Sequence, residues 1–165
     1  MDKIEEKLSW KEKFAAIMVL MIGIGYLLLT VVGFVSSKTN TISVTEDSLQ
    51  ISKDELISNI RSFLYILLGL SGGLLLLARR RIGWIIAIPL LLIIVFLNGY
   101  GIYFSVLMGQ VNFMLYVLGF TLLLFLLSLL FLLLPGARKK YRVSRKTMVP
   151  TLLVLSIIIV LYFLL

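Results

Sequence analysis

The fold of this chain is decided between residues 82 and 137, which read IGWIIAIPLLLIIVFLNGYGIYFSVLMGQVNFMLYVLGFTLLLFLLSLLFLLLPGA. This stretch has no Asp, Glu, Lys or Arg, and it lies between two basic clusters, Arg79-Arg80-Arg81 and Arg138-Lys139-Lys140. A helix needs only about 20 apolar residues to cross the hydrocarbon core of a bilayer, so the stretch is long enough for two crossings. Basic clusters favour the cytoplasmic side of a membrane. Because both ends are basic, the number of crossings must be even, and the stretch is predicted to form a transmembrane hairpin.

The composition places the whole chain in the same class. Of its 165 residues, 61% are hydrophobic, and the mean hydropathy is +1.10. Soluble domains are only about 45–50% apolar, so a polytopic membrane protein is indicated. The net charge of +8 comes from basic residues that flank hydrophobic runs. That arrangement indicates control of topology and attraction to anionic headgroups, and it does not indicate nucleic-acid binding.

The hairpin determines the topology of the other segments. When spans are placed on either side of it, thirteen of the sixteen Lys and Arg residues lie on the cytoplasmic side. The prediction is an all-α integral membrane protein of the plasma (inner) membrane, with a cytoplasmic N-terminus and an outside C-terminus. Residues 1–165 form a single transmembrane domain, a bundle of five transmembrane helices at about 14–35, 58–78, 82–104, 113–134 and 148–165. The outer loop is 36–57 and the basic cytoplasmic loop is 136–147.

Local signals mark where the helices begin and end. Ser9-Trp10-Lys11-Glu12 and Ser52-Lys53-Asp54-Glu55 each fit a capping box at a helix N-terminus. Between 41 and 51 the sequence alternates around a turn-like segment, which favours either a small β-hairpin or an irregular loop. Pro135-Gly136 should end the fourth span, and Pro150 should lie in the first turn of the fifth.

Glycines in the first two spans are predicted to lie at helix contacts. Gly23, Gly25 and Gly33 lie in the first span, and Gly69 and Gly73 form a GxxxG spacing in the second. Small residues let helix backbones approach closely in lipid. We therefore expect the first two spans to use these residues for helix packing.

The sequence contains little catalytic chemistry. There is no Cys and no His, which removes the thiolate nucleophile, the usual proton carrier and the commonest metal ligand. All eight acidic residues lie in 2–12 or 46–55, outside the predicted spans. Ionisable residues within spans usually mark ion pathways and proton relays. We therefore predict that the chain is not an enzyme, with no catalytic residue, no cofactor and no metal.

Polar and aromatic residues gather toward the outer ends of the predicted spans. They are expected either to converge on an outer-leaflet site for a lipid headgroup, a small ligand or a partner helix, or to form an ordinary interfacial belt. A hydrogen bond from the deeper amide, Asn98, to Arg61, Asn59 or a ligand is hypothesised because a buried amide needs a partner. The cluster comprises Asn59, Arg61, Tyr65, Asn98, Tyr100, Gln110 and Asn112.

The basic residues on the cytoplasmic side form the second candidate site. They could bind anionic lipid, at about 1 kcal/mol per residue near the surface, or an acidic partner. Alternatively, they serve only to anchor the spans by the positive-inside rule. These residues are Arg79, Arg80, Arg81, Arg138, Lys139, Lys140, Arg142, Arg145 and Lys146.

Wide apolar surfaces and small soluble loops favour a protein that acts through helix contact. The predicted function is a non-catalytic packing or scaffold subunit of a membrane complex or homo-oligomer. Its predicted partners are membrane lipids, including anionic headgroups, and other membrane subunits, but no nucleic acid. Two alternatives stay open. One is a small-solute or ion conduit formed by oligomerisation, and the other is a membrane effector or signalling component such as a phage-defence protein.

Overall fold

Within the residues that the structure describes, every regular element is a helix. The computed structural model describes residues 8–40, 53–109 and 113–164. The elements are α1 (Trp10–Asn40), α2 (Lys53–Leu77), α3 (Arg81–Leu107), α4 (Phe113–Leu133), α5 (Pro135–Lys140) and α6 (Arg145–Leu164). The β-hairpin considered for 41–51 lies outside the described residues.

Four of these helices are long and apolar enough to cross a membrane, judged by length and composition. They are α1 to α4, and each lies at a predicted span. The apolar part of α6, Lys146–Tyr162, is shorter. The described residues are therefore all-helical in their regular structure, and four of their helices could cross a membrane, as predicted.

The first capping box is confirmed at the start of α1. The Ser9 backbone N–H donates to Glu12 Oε2 at 2.8 Å, and the Glu12 backbone N–H donates to Ser9 Oγ at 3.4 Å. Two backbone donors that the helix cannot satisfy by itself thus find partners. The second box involves side chains outside the described residues, but α2 begins at Lys53 as predicted.

Consecutive long helices pack side by side, and α4 returns to contact α1, which closes a four-helix ring. The helix α6 packs outside this ring against α3. One end of the bundle carries the basic clusters and is called the basic end. It contains the starts of α1, α3 and α6, the ends of α2 and α4, and all of α5. The opposite end is called the far end.

Glycines bring α1 and α2 into backbone contact. A Cβ atom added at Gly69 would lie 2.5 Å from Gly23 N, and one added at Gly23 would lie 2.7 Å from Leu70 N. A Cβ at Gly73 would meet the Leu20 side chain at 2.5 Å. Real side chains do not approach this closely, so glycine permits the observed helix spacing.

The core lies mainly in the half of the bundle near the basic end, and α3 is its centre. In the most hydrophobic part of α3, half of the residues are buried, compared with 17% in the corresponding part of α4. Trp84, Leu90 and Leu91 on α3 are no more than 1% exposed, and Leu132 near the end of α4 is fully buried. The interior of a closely packed protein gains dispersion contacts at many atoms, so these side chains hold α3 between its neighbours.

The basic segment after α4 differs from its prediction. The loop expected at 136–147 contains a short helix, α5, with Pro135 in its first turn. Proline is tolerated there because the first N–H groups of a helix have no intrahelical partner. Ala137 and Tyr141 are 5% and 1% exposed, so this segment folds back onto the core. Pro150 lies inside α6 and not in its first turn, because α6 already begins at Arg145.

Candidate functional site

An ion pair joins α5 to the start of α1 at the basic end. Lys140 Nζ lies 3.0 Å from Glu12 Oε2, and the two side chains are 14% and 5% exposed. The same carboxylate oxygen accepts the Ser9 N–H of the capping box. Glu12 therefore both caps α1 and binds the basic helix.

Tyr141 joins the segment after α5 to the end of α2. Its hydroxyl donates to the backbone oxygen of Leu76 at 3.2 Å, and the side chain is 1% exposed. Burial raises the pKa of Tyr141 to about 12; the nearby Glu12 charge adds to the rise, and Arg79 opposes it. The phenol consequently stays protonated at neutral pH and remains a donor.

The start of α3 is joined to two further helices. Trp84 Nε1 donates to the backbone oxygen of Leu132 on α4 at 3.0 Å. The Arg81 guanidinium donates to the hydroxyl of Thr147 at the start of α6. These contacts join α3 to α4 and α6, whereas those of Glu12 and Tyr141 join the segment of α5 to α1 and α2.

Two arginines at this end have left-handed backbones. Arg79 follows α2 with φ +56°, and Arg142 follows α5 with φ +51°. The next residue closes the helix in each case, with Arg80 N–H bonding Leu75 O at 2.8 Å and Val143 N–H bonding Arg138 O at 2.8 Å. Glycine is the usual residue at this position, because a side chain there costs about 1–2 kcal/mol. At both positions the chain nevertheless has an exposed cation.

The basic end presents an array of exposed positive charges. Lys140 is the partly buried member of the ion pair, and Arg145 begins α6. Glu12 is the one acidic residue among those described at this end. The exposed cations therefore outnumber it. Besides Lys11 and Lys13 at the start of α1, they form a set that we call the basic face: Arg79, Arg80, Arg81, Arg138, Lys139, Arg142 and Lys146.

At the far end, an arginine contacts the end of α6. Arg61 Nη2 donates to the backbone oxygen of Tyr162 at 2.8 Å, and its guanidinium carbon lies 4.8 Å from the centre of the Tyr162 ring. One turn further along α2, the Tyr65 ring stacks on Tyr26 with 4.7 Å between centroids. Arg61 therefore joins α2 to α6, and Tyr65 joins α2 to α1.

Asn98 has a different partner from the one hypothesised. Its Nδ2 donates to Ile94 O at 2.8 Å, and Thr121 Oγ1 lies 3.5 Å from its Oδ1. The hypothesised bond to Arg61 or Asn59 is therefore wrong. The physical reason is the helix order, since Asn98 faces the adjacent leg α4 whereas Arg61 faces α6.

The described members of the outer polar cluster do not form one pocket. Asn59 is exposed on α2, and Tyr100 is 60% exposed on α3, where it stacks on Phe104. Gln110 and Asn112 lie outside the described residues. Two separate groups of polar side chains remain. One consists of Asn98 and Thr121, and the other consists of Arg61 and Tyr65.

Several hydroxyls within the helices bond to their own backbone. Each donates to a carbonyl oxygen three or four residues earlier, which satisfies the group without a partner helix. They are Thr30, Ser71, Thr121, Ser128 and Thr151. Within 8–40, 53–109 and 113–164, no three acidic side chains meet in a way that suits a metal ion.

Three long-range contacts escaped the sequence analysis: Glu12 with Lys140, Thr147 with Arg81 and Tyr162 with Arg61. Each joins two residues more than 60 positions apart along the chain. Tyr141 offered a signal, because it is the one aromatic residue within a strongly basic segment and aromatic residues there need an apolar contact.

No protein-family model matches this chain. No curated protein and no solved structure matches it either. The function is therefore argued from the geometry alone.

Proposed function

We propose that this chain is a non-catalytic membrane subunit that packs in a complex or homo-oligomer and presents the basic face to anionic headgroups or an acidic partner. It would cross the plasma membrane five times, with the N-terminus in the cytoplasm and the C-terminus outside. The contacts at the basic end are the observation that carries the proposal. Each of the six helices takes part in one of these contacts, and exposed cations lie at the same end.

The shorter helix α6 supports the fifth crossing. Its 20 residues extend about 30 Å at about 1.5 Å per residue, which is close to the thickness of the hydrocarbon core. It begins at the basic end beside Arg81 and ends at the far end beside Arg61. This direction matches that of α3.

Positive charge supports the proposed orientation. Lysine and arginine near span ends favour the cytoplasmic side. Anionic lipids of the cytoplasmic leaflet attract each nearby cation by about 1 kcal/mol, so the basic face would bind that surface with several such contributions.

The interior favours packing over conduction. Five hydroxyls donate hydrogen bonds to carbonyl oxygens of their own helices. Gly23 and Gly69 bring the backbones of α1 and α2 into contact. A conduit needs polar groups aligned along a pathway.

Single-cysteine labelling tests the orientation, since the natural chain has no cysteine. Exposed Arg138 at the basic end and exposed Tyr103 at the far end are matched positions. In intact cells, a membrane-impermeant maleimide should label Tyr103→Cys at once and Arg138→Cys only after the membrane is opened. Labelling in the reverse order would overturn the proposed orientation.

Purification in mild detergent tests the role. We expect a defined species larger than a single chain, either an oligomer or a fixed complex, and no solute release from vesicles that contain it. In a triple variant, Arg80→Gln, Arg138→Gln and Lys139→Gln, binding to anionic vesicles should fall while the fold persists. A lone chain that binds neutral and anionic vesicles equally would contradict the proposal, and so would selective solute flux.

A further inference from the structure

Two openings flank α6 at the far end, and Tyr162 lines both. The first is a cavity of about 10 Å³ between α2 and α6, beside Arg61 and Tyr65. The second is a groove of about 390 Å³ between α3 and α6. The two spaces therefore meet at one aromatic residue near the end of the helix.

The small cavity contains two polar atoms that need a partner. Arg61 Nε and Tyr65 Oη are buried and have no hydrogen-bond partner among the described residues. The Tyr65 side chain is only 4% exposed. Leaving a buried donor unpaired is unfavourable, more so when it belongs to a charged group. The free volume beside them is about 10 Å³ and its surface is apolar, whereas the Arg61 guanidinium is only partly buried, so an oxygen atom can reach it from outside the cavity.

The groove is complementary in shape and polarity to a hydrocarbon chain. Its walls are apolar, with Leu92 and Phe96 on α3 and Leu155 and Ile159 on α6. From Leu155 to Tyr162 it runs along the helix for roughly 10 Å, at about 1.5 Å per residue. A lipid chain lies in this direction when its headgroup is at the level of Tyr162.

We propose that a phospholipid binds at the far end, with one acyl chain in the groove and its phosphate at the Arg61 guanidinium, beside Tyr65. Arg61 is the one basic side chain that the structure describes at this end. A guanidinium binds phosphate strongly because its donors match the phosphate oxygens in geometry and in charge. Water would supply an oxygen but no compensating charge. This site is distinct from the basic face, which lies at the opposite end of the bundle.

Native mass spectrometry of the purified protein tests the site. The intact chain is reconstituted with phosphatidylglycerol or phosphatidylcholine, exchanged into detergent, and the retained lipid is counted. We expect one phospholipid to remain with either headgroup, because both contain phosphate. Arg61→Gln should lower its retention about tenfold, the loss expected for a charge-assisted hydrogen bond. The matched control Lys13→Gln removes an exposed cation at the basic end that is not part of the basic face, and it should retain the lipid.

Two further variants separate binding from folding. Tyr65→Phe removes only a hydroxyl and should weaken retention less than Arg61→Gln does. Leu92→Trp fills the groove while leaving Arg61 intact, and it should also release the lipid. Leu92 is 39% exposed, so the larger side chain has room and the helical circular dichroism should be unchanged.

Inorganic phosphate distinguishes the possible sources of the oxygen. If phosphate alone stabilises the delipidated protein as well as phospholipid does, and Leu92→Trp has no effect, then the ligand is a free anion and the proposed chain site is wrong. Equal lipid retention by the wild type, Arg61→Gln and Leu92→Trp would overturn the proposal entirely.

Discussion

The glycines in the two halves of the bundle have different surroundings. Near the basic end, a Cβ added at Gly69 would lie 2.5 Å from Gly23 N, and one at Gly83 would collide with Leu76 N. In the far half, a Cβ added at Gly99 or Gly119 would meet nothing within 4 Å. Gly25 and Gly33, which were expected at a packed face of α1, are equally open. All these residues lie in apolar helices. The comparison teaches that apolar composition alone does not show where helices touch.

The two ends of the bundle also differ in whether their buried polar groups have partners. At the basic end, Lys140 binds Glu12, Tyr141 binds Leu76 and Trp84 binds Leu132. At the far end, Arg61 and Tyr65 each have a buried atom without a described partner. The basic half therefore holds the fold together, whereas the far half leaves donors and space for a ligand.

Removal of Trp84 should have the largest effect on stability. Trp84→Ala leaves a cavity beside a fully buried leucine and removes the bond to Leu132 O, which predicts a loss of about 3–5 kcal/mol. Trp10 is the control, since it is 69% exposed and its ring contacts Phe14 and Phe131 only at the surface. Trp10→Ala should cost about 1 kcal/mol. Unfolding by a denaturing detergent, followed by circular dichroism, measures both, and equal losses would contradict the contrast between buried and exposed sites.

Breaking the ion pair should have a smaller effect. Lys140→Met keeps the length of the side chain but leaves Glu12 without its cation, at a cost of about 1–3 kcal/mol. Addition of Glu12→Gln should restore part of that stability, because the remaining buried group is neutral. The neighbouring exposed Lys139→Met should change the unfolding midpoint little. Equal effects of Lys139→Met and Lys140→Met would show that the ion pair contributes nothing.

Alkaline pH should weaken the Tyr141 contact. Burial raises the pKa of Tyr141 from 10.0 to about 12, so the folded state keeps a proton that the unfolded state releases between these values. The stabilisation is complete below pH 10 and is lost as pH rises toward 12. At neutral pH, Tyr141→Phe should cost about 1 kcal/mol, the usual value of one hydrogen bond. The difference in free energy of unfolding between the wild type and this variant should shrink between pH 10 and 12. A difference that stays constant over this range would contradict a raised pKa for Tyr141.

Relief of backbone strain at Arg79 should give the smallest change in stability, and this change should be a gain. Arg79→Gly relieves a left-handed backbone and should stabilise the fold by about 1 kcal/mol. Arg80 has φ −83° and ψ 133°, an ordinary extended conformation, so Arg80→Gly brings no relief. Thermal unfolding of the two variants should shift in opposite directions, while both bind anionic vesicles less well. A lower midpoint for Arg79→Gly would contradict the strain.

The helices themselves could be predicted from the sequence. The span expected at 113–134 is α4, Phe113–Leu133, because charge and hydropathy determine where a helix enters the membrane. The capping box at Ser9 and Glu12 was also readable, since it depends on residues three positions apart. By contrast, α5 was missed because Pro135-Gly136 is equally compatible with a helix end and a helix start.

The site was only partly predictable, because it depends on helix rotation. Arg61 and Tyr65 were identified by residue type, but their partner helix was not, and Asn98 was assigned to the wrong neighbour. Helices that are apolar on every side have no stripe to show which face is buried. Tyr162 therefore could not be paired with Arg61 from the pattern along the chain.

A glycine-to-alanine scan tests the contrast between the two halves most directly. Each variant is unfolded in the same detergent, and its free energy of unfolding is compared with that of the wild type. Gly23→Ala, Gly69→Ala and Gly83→Ala should each lose about 1–3 kcal/mol, because the new methyl group meets a neighbouring backbone. Gly99→Ala and Gly119→Ala should be neutral or gain up to about 1 kcal/mol, because alanine is the better helix former. Equal losses in both sets would contradict a packed basic half and an open far half.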